Sequence, residues 1–480
     1  MDPKIKPESP NQDGEGYGTA ASPYIPVAMA SALFMDLLDT SALGSALPTM
    51  AREFHTEPLH LKLALTAYLM TMAILVPASG WLADRYGARR VFIHSVRIYL
   101  LGSLCCGLSN SLSQLVAARV LQGVGGAMMT PVARLIVVAS TPRERLIQAM
   151  NAFTMPAILG PLLGPPFAGV LLQMTSWRWI FFLNIPIGIM GIVAVLRIVP
   201  RLRHHHPGPF DAVGFVTAGL GIVSVIVLAE SVGSDLLAGN AQWIAGCVAI
   251  VAWTLCVRRA LRIRAPMLDL RLLGKPTYRA SMIGGSLLRL GIGATPFLLP
   301  LLLQAAMGWS PIKSGAVIAV VTVGSLLARF GGTYAVRALG FRTALLLTAA
   351  FTAVLTAAPA LFDVRTPVVI VALSLLMGGF FRAAHYVAAT AMAFAEVTPE
   401  EISRASTLST VIQQLTLSFG VSFAGVALYL SAGNPTRFTP NQFIFPFIAL
   451  GVVTLLALPV YARLDPMVGA DMRSGARRPA

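Results

Sequence analysis

Fourteen apolar runs constrain this chain more than any other feature of its sequence. The runs cover, in chain order, residues 24–48, 60–79, 91–109, 113–136, 149–173, 178–199, 212–230, 241–257, 281–304, 314–336, 342–362, 367–394, 406–431 and 443–462. A helix needs about 20 apolar residues to cross a hydrocarbon core of about 30 Å. Only 12% of the residues are charged, which is about half the usual share in a soluble domain. We therefore predict an all-α polytopic membrane protein and number the runs as spans 1 to 14.

The distribution of lysine and arginine predicts the orientation of the spans. The net charge is +16, and the basic residues are concentrated in both termini and in the loops after even-numbered spans. The loops after odd-numbered spans contain few of them, namely Arg52, Lys62, Lys313, Arg365 and Arg437. Because cytoplasmic loops are enriched in Lys and Arg, we expect both termini in the cytoplasm and the spans in the inner (plasma) membrane. The same distribution explains the positive charge without a nucleic acid partner.

Two features of the connecting loops indicate that the spans form two blocks. The longest basic loop, at about 258–280, lies between spans 8 and 9. The loop after span 2 (GWLADRYGARR) is weakly similar to the loop after span 10 (TYAVRALGFR), with Gly87 aligned on Gly340. Repeated halves that face each other across a site at the bilayer midplane are a common plan of transporters. The sequence therefore predicts a protein that moves a solute across the membrane.

Three of the charged residues inside the apolar runs carry the functional prediction. Asp36 and Asp39 share one face of span 1 near the bilayer midplane, and Arg119 reaches a similar depth in span 4 from the opposite side. An ionised residue at the centre of a span costs at least about 2.5–3.5 kcal/mol, so such residues are rare without a function. Because a proton bound to Asp39 would release Arg119, we predict that Asp39, Asp36 and Arg119 couple transport to protons. A static ion pair, or an aspartate that lines a watery vestibule, is the alternative.

Glycine and proline patterns mark three further elements. The turn after span 2 combines glycines with mixed charges, which predicts a salt-bridged latch at the membrane face. Residues 119–126 of span 4 read RVLQGVGG, and residues 160–165 of span 5 read GPLLGP. Such glycines permit close helix packing, and prolines bend a helix. The latch residues are Gly80, Asp84, Arg85, Gly87, Arg89 and Arg90, and the span 5 residues are Gly160, Pro161, Gly164 and Pro165.

These patterns, with Leu38-Asp39-Thr40 and Ala46-Leu47-Pro48 in span 1, resemble the motifs of the major facilitator superfamily. The resemblance is to its fourteen-span drug:proton antiporter branch, of the EmrB/QacA type, and covers essentially the whole chain. It implies two six-helix bundles separated by two extra central spans, and proton coupling through Arg119. It also implies that Asp84 docks against the span beginning near Ser406, and that the span 5 pattern marks an antiporter.

The resemblance also implies the domain organisation. The expected domains are a cytoplasmic N-terminal tail (1–23), an N-terminal six-helix bundle (24–203), two extra spans with a basic cytoplasmic linker (204–280), a C-terminal six-helix bundle (281–463) and a cytoplasmic tail (464–480). Span 1 departs from the family at two positions. Gly44 stands where the family usually has asparagine, and Asp36 is a carboxylate where a neutral residue is usual.

Other polar residues within the spans are candidates for the wall of a substrate cavity. They are Gln122, Arg289, His385, Tyr386, Gln413 and Gln414. Helix packing is the alternative for the glutamines. Arg382 is a further candidate, for which snorkelling from a helix end is an equal alternative.

We expect neither a metal nor an organic cofactor. His204, His205 and His206 lie in a basic loop without matching ligands, and the four cysteines fall inside apolar runs. The chain contains no GxxxxGK[ST] nucleotide-binding pattern, so ATP is not expected to drive it directly. The proton gradient is the expected energy source.

The function expected from these observations is proton-coupled secondary active efflux of small amphipathic or cationic compounds by alternating access. The expected partners are the small-molecule substrate, protons and the lipid bilayer. We expect a monomer, and a membrane-fusion adaptor is an additional candidate partner. An exporter of an endogenous metabolite, or an importer on the same fold, is the alternative. A non-transporting membrane receptor or an enzyme is disfavoured, because the loops contain neither a large domain nor a catalytic grouping.

Overall fold

The computed structural model describes residues 22, 24–142, 145–200, 209–231, 240–263, 266–398, 401–433 and 438–464. Within these ranges the regular structure is entirely helical. The spans are Ile25–Glu53, Lys62–Tyr86, Ala88–Gly107, Leu112–Ala139, Leu146–Met174, Arg178–Ile198, Ala212–Ser231, Asn240–Arg262, Pro276–Ala306, Pro311–Leu339, Phe341–Leu361, Val368–Ala393, Ile402–Ala432 and Pro440–Ala462. The predicted all-α fold class is confirmed.

Four spans are built from consecutive helical pieces. Span 6 consists of Arg178–Phe182 and Asn184–Ile198, and span 9 continues from Pro276–Pro300 into a π-helix at Leu301–Ala306. Span 11 ends in a 3₁₀ turn at Ala358–Leu361. Span 14 comprises Pro440–Phe443, Ile444–Leu455 and Ala457–Ala462.

Of the spans in the described part of the chain, 13 are long and apolar enough to cross a membrane by length and composition. The exception is span 3, a 20-residue helix whose first half carries Arg89, Arg90, His94 and Arg97. Its 20 residues give a helix about 30 Å long, which is enough to cross the hydrocarbon core. The charged side chains near its end can extend to the membrane interface. The protein is a multi-pass membrane protein, and its described residues form 13 helices that meet both criteria and a further helix, span 3, of comparable length.

The two halves of the molecule meet mainly through two pairs of spans. Span 5 packs against span 10, and span 2 packs against span 13. The extra spans 7 and 8 pack against each other, and span 7 contacts both span 2 and span 13. Span 7 therefore lies where the N-terminal and C-terminal halves join. The domain boundaries drawn from the sequence stay a prediction.

Two single-residue turns reproduce the internal similarity of the sequence. Gly87 separates spans 2 and 3 with φ of 89°, and Gly340 separates spans 10 and 11 with φ of 80°. Only glycine adopts such positive φ values without a steric penalty. The aligned glycines therefore make the same sharp turn in both halves.

The connection between spans 8 and 9 is shorter than the predicted loop at 258–280. Span 8 continues to Arg262 and span 9 begins at Pro276, because Tyr278 and Arg279 belong to its first helical turn. Lys275 forms an ion pair with Glu401 at the start of span 13. The hydrogen bond from Lys275 lowers the pKa of Glu401 to about 2. This pair ties the connection to the C-terminal half.

Candidate functional site

A buried ion pair lies at the centre of the N-terminal half. Asp39 of span 1 pairs with Arg119 of span 4, and their exposed fractions are 1% and 0%. The Asp39 Oδ1 atom also accepts hydrogen bonds from Gln122 Nε2 at 3.2 Å and from Asn184 Nδ2 at 3.1 Å. Spans 1, 4 and 6 thus converge on one carboxylate.

Arg119 has partners other than Asp39. Its Nη1 donates to Gln122 Oε1 at 2.7 Å, and its Nε donates to the Ala64 carbonyl of span 2 at 3.1 Å. The guanidinium carbon lies 4.3 Å from the centroid of the Tyr68 ring, which adds a cation–π contact. These neutral partners can hold the guanidinium when the charge of Asp39 changes.

Asp36 is joined to this cluster through Tyr68. The Tyr68 hydroxyl donates a short hydrogen bond to Asp36 Oδ1, while the face of the same ring contacts Arg119. Asp36 is 9% exposed and Asp39 is 1% exposed, so Asp36 is the more accessible of the two carboxylates. The Tyr68 side chain therefore contacts both Asp36 and Arg119.

The glycines of span 4 make room for the side chains and helices around this cluster. A Cβ atom on Gly126 would lie 2.6 Å from the Tyr68 hydroxyl oxygen, and one on Gly123 would lie 2.7 Å from Thr71 Cβ. Gly125 faces the backbone of span 3 at Tyr99 with similarly little space. The glycine pattern therefore brings spans 2 and 3 onto span 4 at the level of the ion pair.

The span 5 pattern packs against the segment of span 1 that carries the two aspartates. A Cβ on Gly160 would lie 2.8 Å from the Leu38 nitrogen, and Gly164 packs against Ser41. Ser41 Oγ lies 3.3 Å from the Gly160 carbonyl oxygen and donates to it. Pro161 and Pro165 line a cavity between the two halves of the molecule. Span 5 thus packs on span 1 beside that cavity.

A central cavity of about 580 Å³ lies between the two halves. Its wall is mostly apolar and carries several hydroxyl groups, with Arg382 and Tyr386 on the side of span 12. The lining residues are Leu33, Leu37, Thr40, Ser41, Ser45, Thr154, Ile158, Pro161, Pro165, Ile292, Thr295, Pro296, Pro300, Ile318, Val321, Thr322, Ser325, Arg382, Ala383 and Tyr386. Asp36 and Asp39 lie outside this lining. Span 1 presents one face to the cavity and another to the charge cluster.

The structure distributes the predicted cavity residues over several environments. Tyr386 lines the central cavity, and Arg289 and His385 surround a small adjoining pocket. His385 is buried and hydrogen-bonded to Thr348 and Tyr461 at 3.0 Å each.

The three glutamines predicted for the cavity are not among its lining residues, although Gln413 Oε1 accepts a hydrogen bond from the lining residue Tyr386 at 3.5 Å. Gln122 belongs to the charge cluster. Gln413 bonds to Ser409 at 3.0 Å, and Gln414 bonds to the Met72 sulfur across the halves at 3.4 Å. Polarity within a span identified these residues, but the rotation of each helix decided what they face.

Arg382 is a wall residue of the cavity. It lies within span 12 (Val368–Ala393), away from both helix ends, and lines the central cavity. Snorkelling requires a position near a helix end, so the structure disfavours that alternative.

The predicted latch lies at the turn between spans 2 and 3. Gly87 forms the turn itself, and Arg89 Nη2 donates to the Leu196 carbonyl at the end of span 6 at 2.6 Å. A basic side chain there satisfies a free carbonyl at a helix C-terminus. Gly80, Arg85 and Arg90 are exposed, and Asp84 is half-buried. Docking of Asp84 against span 13 stays a prediction.

The packing around Gly44 explains why this chain has glycine where the family usually has asparagine. A Cβ at this position would lie 2.5 Å from the Pro296 carbonyl oxygen of span 9. Asparagine would not fit at this spacing. In this chain the glycine therefore allows spans 1 and 9 of the two halves to approach closely.

Two sets of polar residues lie outside the predicted sites. Asn184 donates to both Asp39 and Ser103. Lys62, expected in the loop before span 2, is the first residue of that span and is 3% exposed. Its Nζ lies 3.3 Å from Glu230 Oε2 of span 7, and Glu230 accepts a hydrogen bond from Ser422 of span 13. Asn184 and Glu230 are polar residues within apolar runs, and that signal could have identified them.

The histidine run at 204–206 lies outside the described residues. Among the residues that are described, no group of three or more His, Cys, Asp or Glu side chains could hold a metal ion.

Comparison with known proteins agrees with this architecture. Residues 29–268 match the family model of the Major Facilitator Superfamily. Two relatives that carry the name multidrug resistance protein MdtD are similar over nearly the whole chain. The relative from Pectobacterium carotovorum subsp. carotovorum (strain PC1) is 33% identical over 90% of this chain and 93% of its own length. The relative from Salmonella heidelberg (strain SL476) is 34% identical over 91% of this chain and 93% of its own length.

Solved structures show the same fold at low sequence identity. A peptide transporter POT in complex with sulfate has a TM-score of 0.69 at 15% identity, covering 93% of this chain and 95% of its own. The xylose transporter XylE from E. coli, in a partially occluded inward open conformation, has a TM-score of 0.62 at 13% identity, covering 93% and 100%. The chain belongs to the Major Facilitator Superfamily and is a membrane transporter.

Proposed function

We propose that this protein is a proton-coupled exporter of small amphipathic compounds that works by alternating access. The observation that carries the proposal is the buried pair of Asp39 and Arg119, which has neutral hydrogen-bond partners already in place. A charge inside a membrane span is expensive and marks a functional site by default. A pair that can change its charge without unfolding its surroundings suits a proton carrier.

The first step of the proposed coupling is proton binding at the carboxylates. When Asp39 is ionised, it holds Arg119, and Gln122 and Asn184 donate to its other oxygen. Protonation removes the ionic attraction and leaves Arg119 to the Gln122 side chain and the Ala64 carbonyl. Asp36 is the more exposed carboxylate, and we assign it the role of passing the proton inwards.

The second step transmits this change to the cavity. Thr40 and Ser41 line the cavity on the same turn of span 1 that carries Asp39, so a shift of that turn changes the cavity wall. The glycines of span 5 hold span 1 closely. A two-state element that both a proton and a substrate bias is the physical basis of coupled transport.

The cavity wall favours amphipathic substrates. Its apolar surface suits the body of an organic compound, and its hydroxyl groups supply hydrogen bonds. We further propose that both termini lie in the cytoplasm, that the chain acts as a monomer in the inner membrane, and that the proton gradient is its energy source. A membrane-fusion adaptor is a partner that co-purification can test.

The test is proton-driven transport by the purified protein in liposomes. Asp39→Asn should abolish uptake or efflux of a fluorescent drug driven by an imposed pH gradient, because the amide cannot ionise. Asp363→Asn changes an exposed carboxylate in the loop after span 11 and serves as the matched control. Full gradient-driven transport by Asp39→Asn, at the rate of the control, would contradict the proposal.

A further inference from the structure

Two arginines within spans 9 and 12 form no ion pair with a carboxylate in the described part of the chain, unlike Arg119. Arg289 in span 9 is 5% exposed, and Arg382 in span 12 is half-buried. Neither takes part in any of the ion pairs within the described part of the chain. Between 276 and 464, the acidic residues that the structure describes all lie outside the span interiors, and they are Asp363, Glu396 and Glu401.

Both guanidinium groups have neutral partners. Arg382 Nε donates to the Gly378 carbonyl at 3.2 Å, and Arg382 Nη1 donates to Thr295 Oγ1 at 3.1 Å. Arg289 Nη1 has no hydrogen-bond partner among the described residues, and the guanidinium carbon lies 5.4 Å from the centroid of the Tyr386 ring. Neutral contacts do not cancel the charge, and an uncompensated charge inside a membrane protein is costly. A bound anion would supply the missing counter-charge.

Arg382 lines the central cavity, and Arg289 lies in the small pocket beside it. Arg382 and Tyr386 line both the cavity and the small pocket that contains Arg289. The aspartates of span 1 turn away from the cavity, towards Tyr68 and Arg119. The one ionic group on the described wall of the cavity is therefore a cation.

We propose that the central cavity binds amphipathic organic anions, with a carboxylate, sulfonate or phosphate group at Arg382. A guanidinium binds such groups through two parallel hydrogen bonds. The apolar body of the anion lies against the spans 1 and 5 side of the wall, and Arg289 adds positive potential behind Tyr386. This assignment rests on the proposed function, because it takes the cavity as the substrate site. The sequence analysis expects amphipathic or cationic substrates, and the proposal narrows this expectation to amphipathic anions.

The test is equilibrium binding by the full-length protein in lipid nanodiscs. Fluorescein and rhodamine 6G share a xanthene ring system but are an anion and a cation at neutral pH, so they separate the effect of charge from that of shape. Fluorescence polarisation is measured for each dye, with empty nanodiscs as the blank. The variants are Arg382→Gln, Arg382→Lys and Arg289→Gln. Arg365→Gln, in the exposed loop after span 11, is the matched control for the loss of one positive charge.

The expected result is saturable binding of fluorescein that is tighter than that of rhodamine 6G. Arg382→Gln should weaken fluorescein binding by about tenfold or more, the size of one hydrogen bond between charged groups. The fluorescein affinity of Arg382→Lys should lie between those of the unaltered protein and Arg382→Gln, because lysine keeps the charge and loses the planar guanidinium. Arg289→Gln should weaken fluorescein binding less than Arg382→Gln does. Rhodamine 6G binding that is unchanged or tighter in Arg382→Gln shows that the variant is folded.

Three results would overturn the assignment. They are absence of saturable fluorescein binding, tighter binding of rhodamine 6G by the unaltered protein, and equal fluorescein binding by Arg382→Gln and Arg365→Gln. Because the assay uses no pH gradient, its outcome is separate from that of the transport test. Fluorescein binding without gradient-driven transport would contradict the proposed function but not the anion assignment. Gradient-driven transport of cations without fluorescein binding would contradict the anion assignment but not the proposed function.

Discussion

The buried ion pair of span 1 and span 4 makes a thermodynamic prediction that does not depend on transport. Replacing Arg119 with glutamine would leave the Asp39 carboxylate buried, with Gln122 and Asn184 as its remaining donors at 3.2 Å and 3.1 Å. Replacing both members of the pair, as Asp39→Asn with Arg119→Gln, removes the charge as well. The two changes should therefore have different energetic consequences.

The magnitude follows from what each change leaves behind. Breaking a buried ion pair by removing one partner costs about 3–5 kcal/mol. Replacing both partners with uncharged residues of similar volume often changes the free energy of unfolding little. Hydrogen bonds from Gln122 and Asn184 continue to stabilise the Asp39 carboxylate, so we expect a loss of about 3 kcal/mol for Arg119→Gln. The double variant should recover most of this loss.

The assay is a double-mutant cycle on the free energy of unfolding. Unfolding of the purified protein in mixed micelles is followed by the fluorescence of its 6 tryptophans. The more accessible pair of Glu53 and Arg178 serves as the control cycle, because its side chains are 43% and 25% exposed, against 0% for both members of the buried pair. Exposed pairs contribute about 0–1 kcal/mol. A double variant no more stable than Arg119→Gln, or an Asp39–Arg119 coupling as small as that of the control pair, would refute the reasoning.

Two further predictions concern other contacts. Glu230→Gln leaves Lys62 buried without its counter-charge, so the apparent melting temperature should fall by several degrees in differential scanning fluorimetry; an unchanged value would contradict this. Gly126→Ala would place a methyl group 2.6 Å from the Tyr68 hydroxyl and displace it, so gradient-driven transport should slow by about tenfold with the substrate KM little changed. Gly246→Ala has open space around it and should match the unaltered protein, and equal rates for both alanine variants would contradict the second prediction.

The number of spans and the fold class follow from the sequence alone. The thickness of the hydrocarbon core imposes a length of about 20 apolar residues on every crossing, and this requirement is local to each run. The charged residues of span 1 and span 4 can also be identified from the sequence, because ionisable residues are rare within an apolar run. Gly87 and Gly340 could be aligned for a similar reason, since a sharp turn between two helices requires glycine.

The tertiary structure decided which face each polar residue presents. In a soluble helix the apolar stripe reveals the buried face, but in a membrane both the lipid and the protein interior are apolar, so the pattern carries little information about rotation. The sequence therefore could not show that Asp36 and Asp39 turn towards Tyr68 and Arg119, or that Arg382 turns towards the cavity. It also could not show that Glu230 of span 7 meets Lys62 of span 2. Helix rotation depends on contacts between residues far apart in the chain, and those contacts set the charge on the wall of the central cavity.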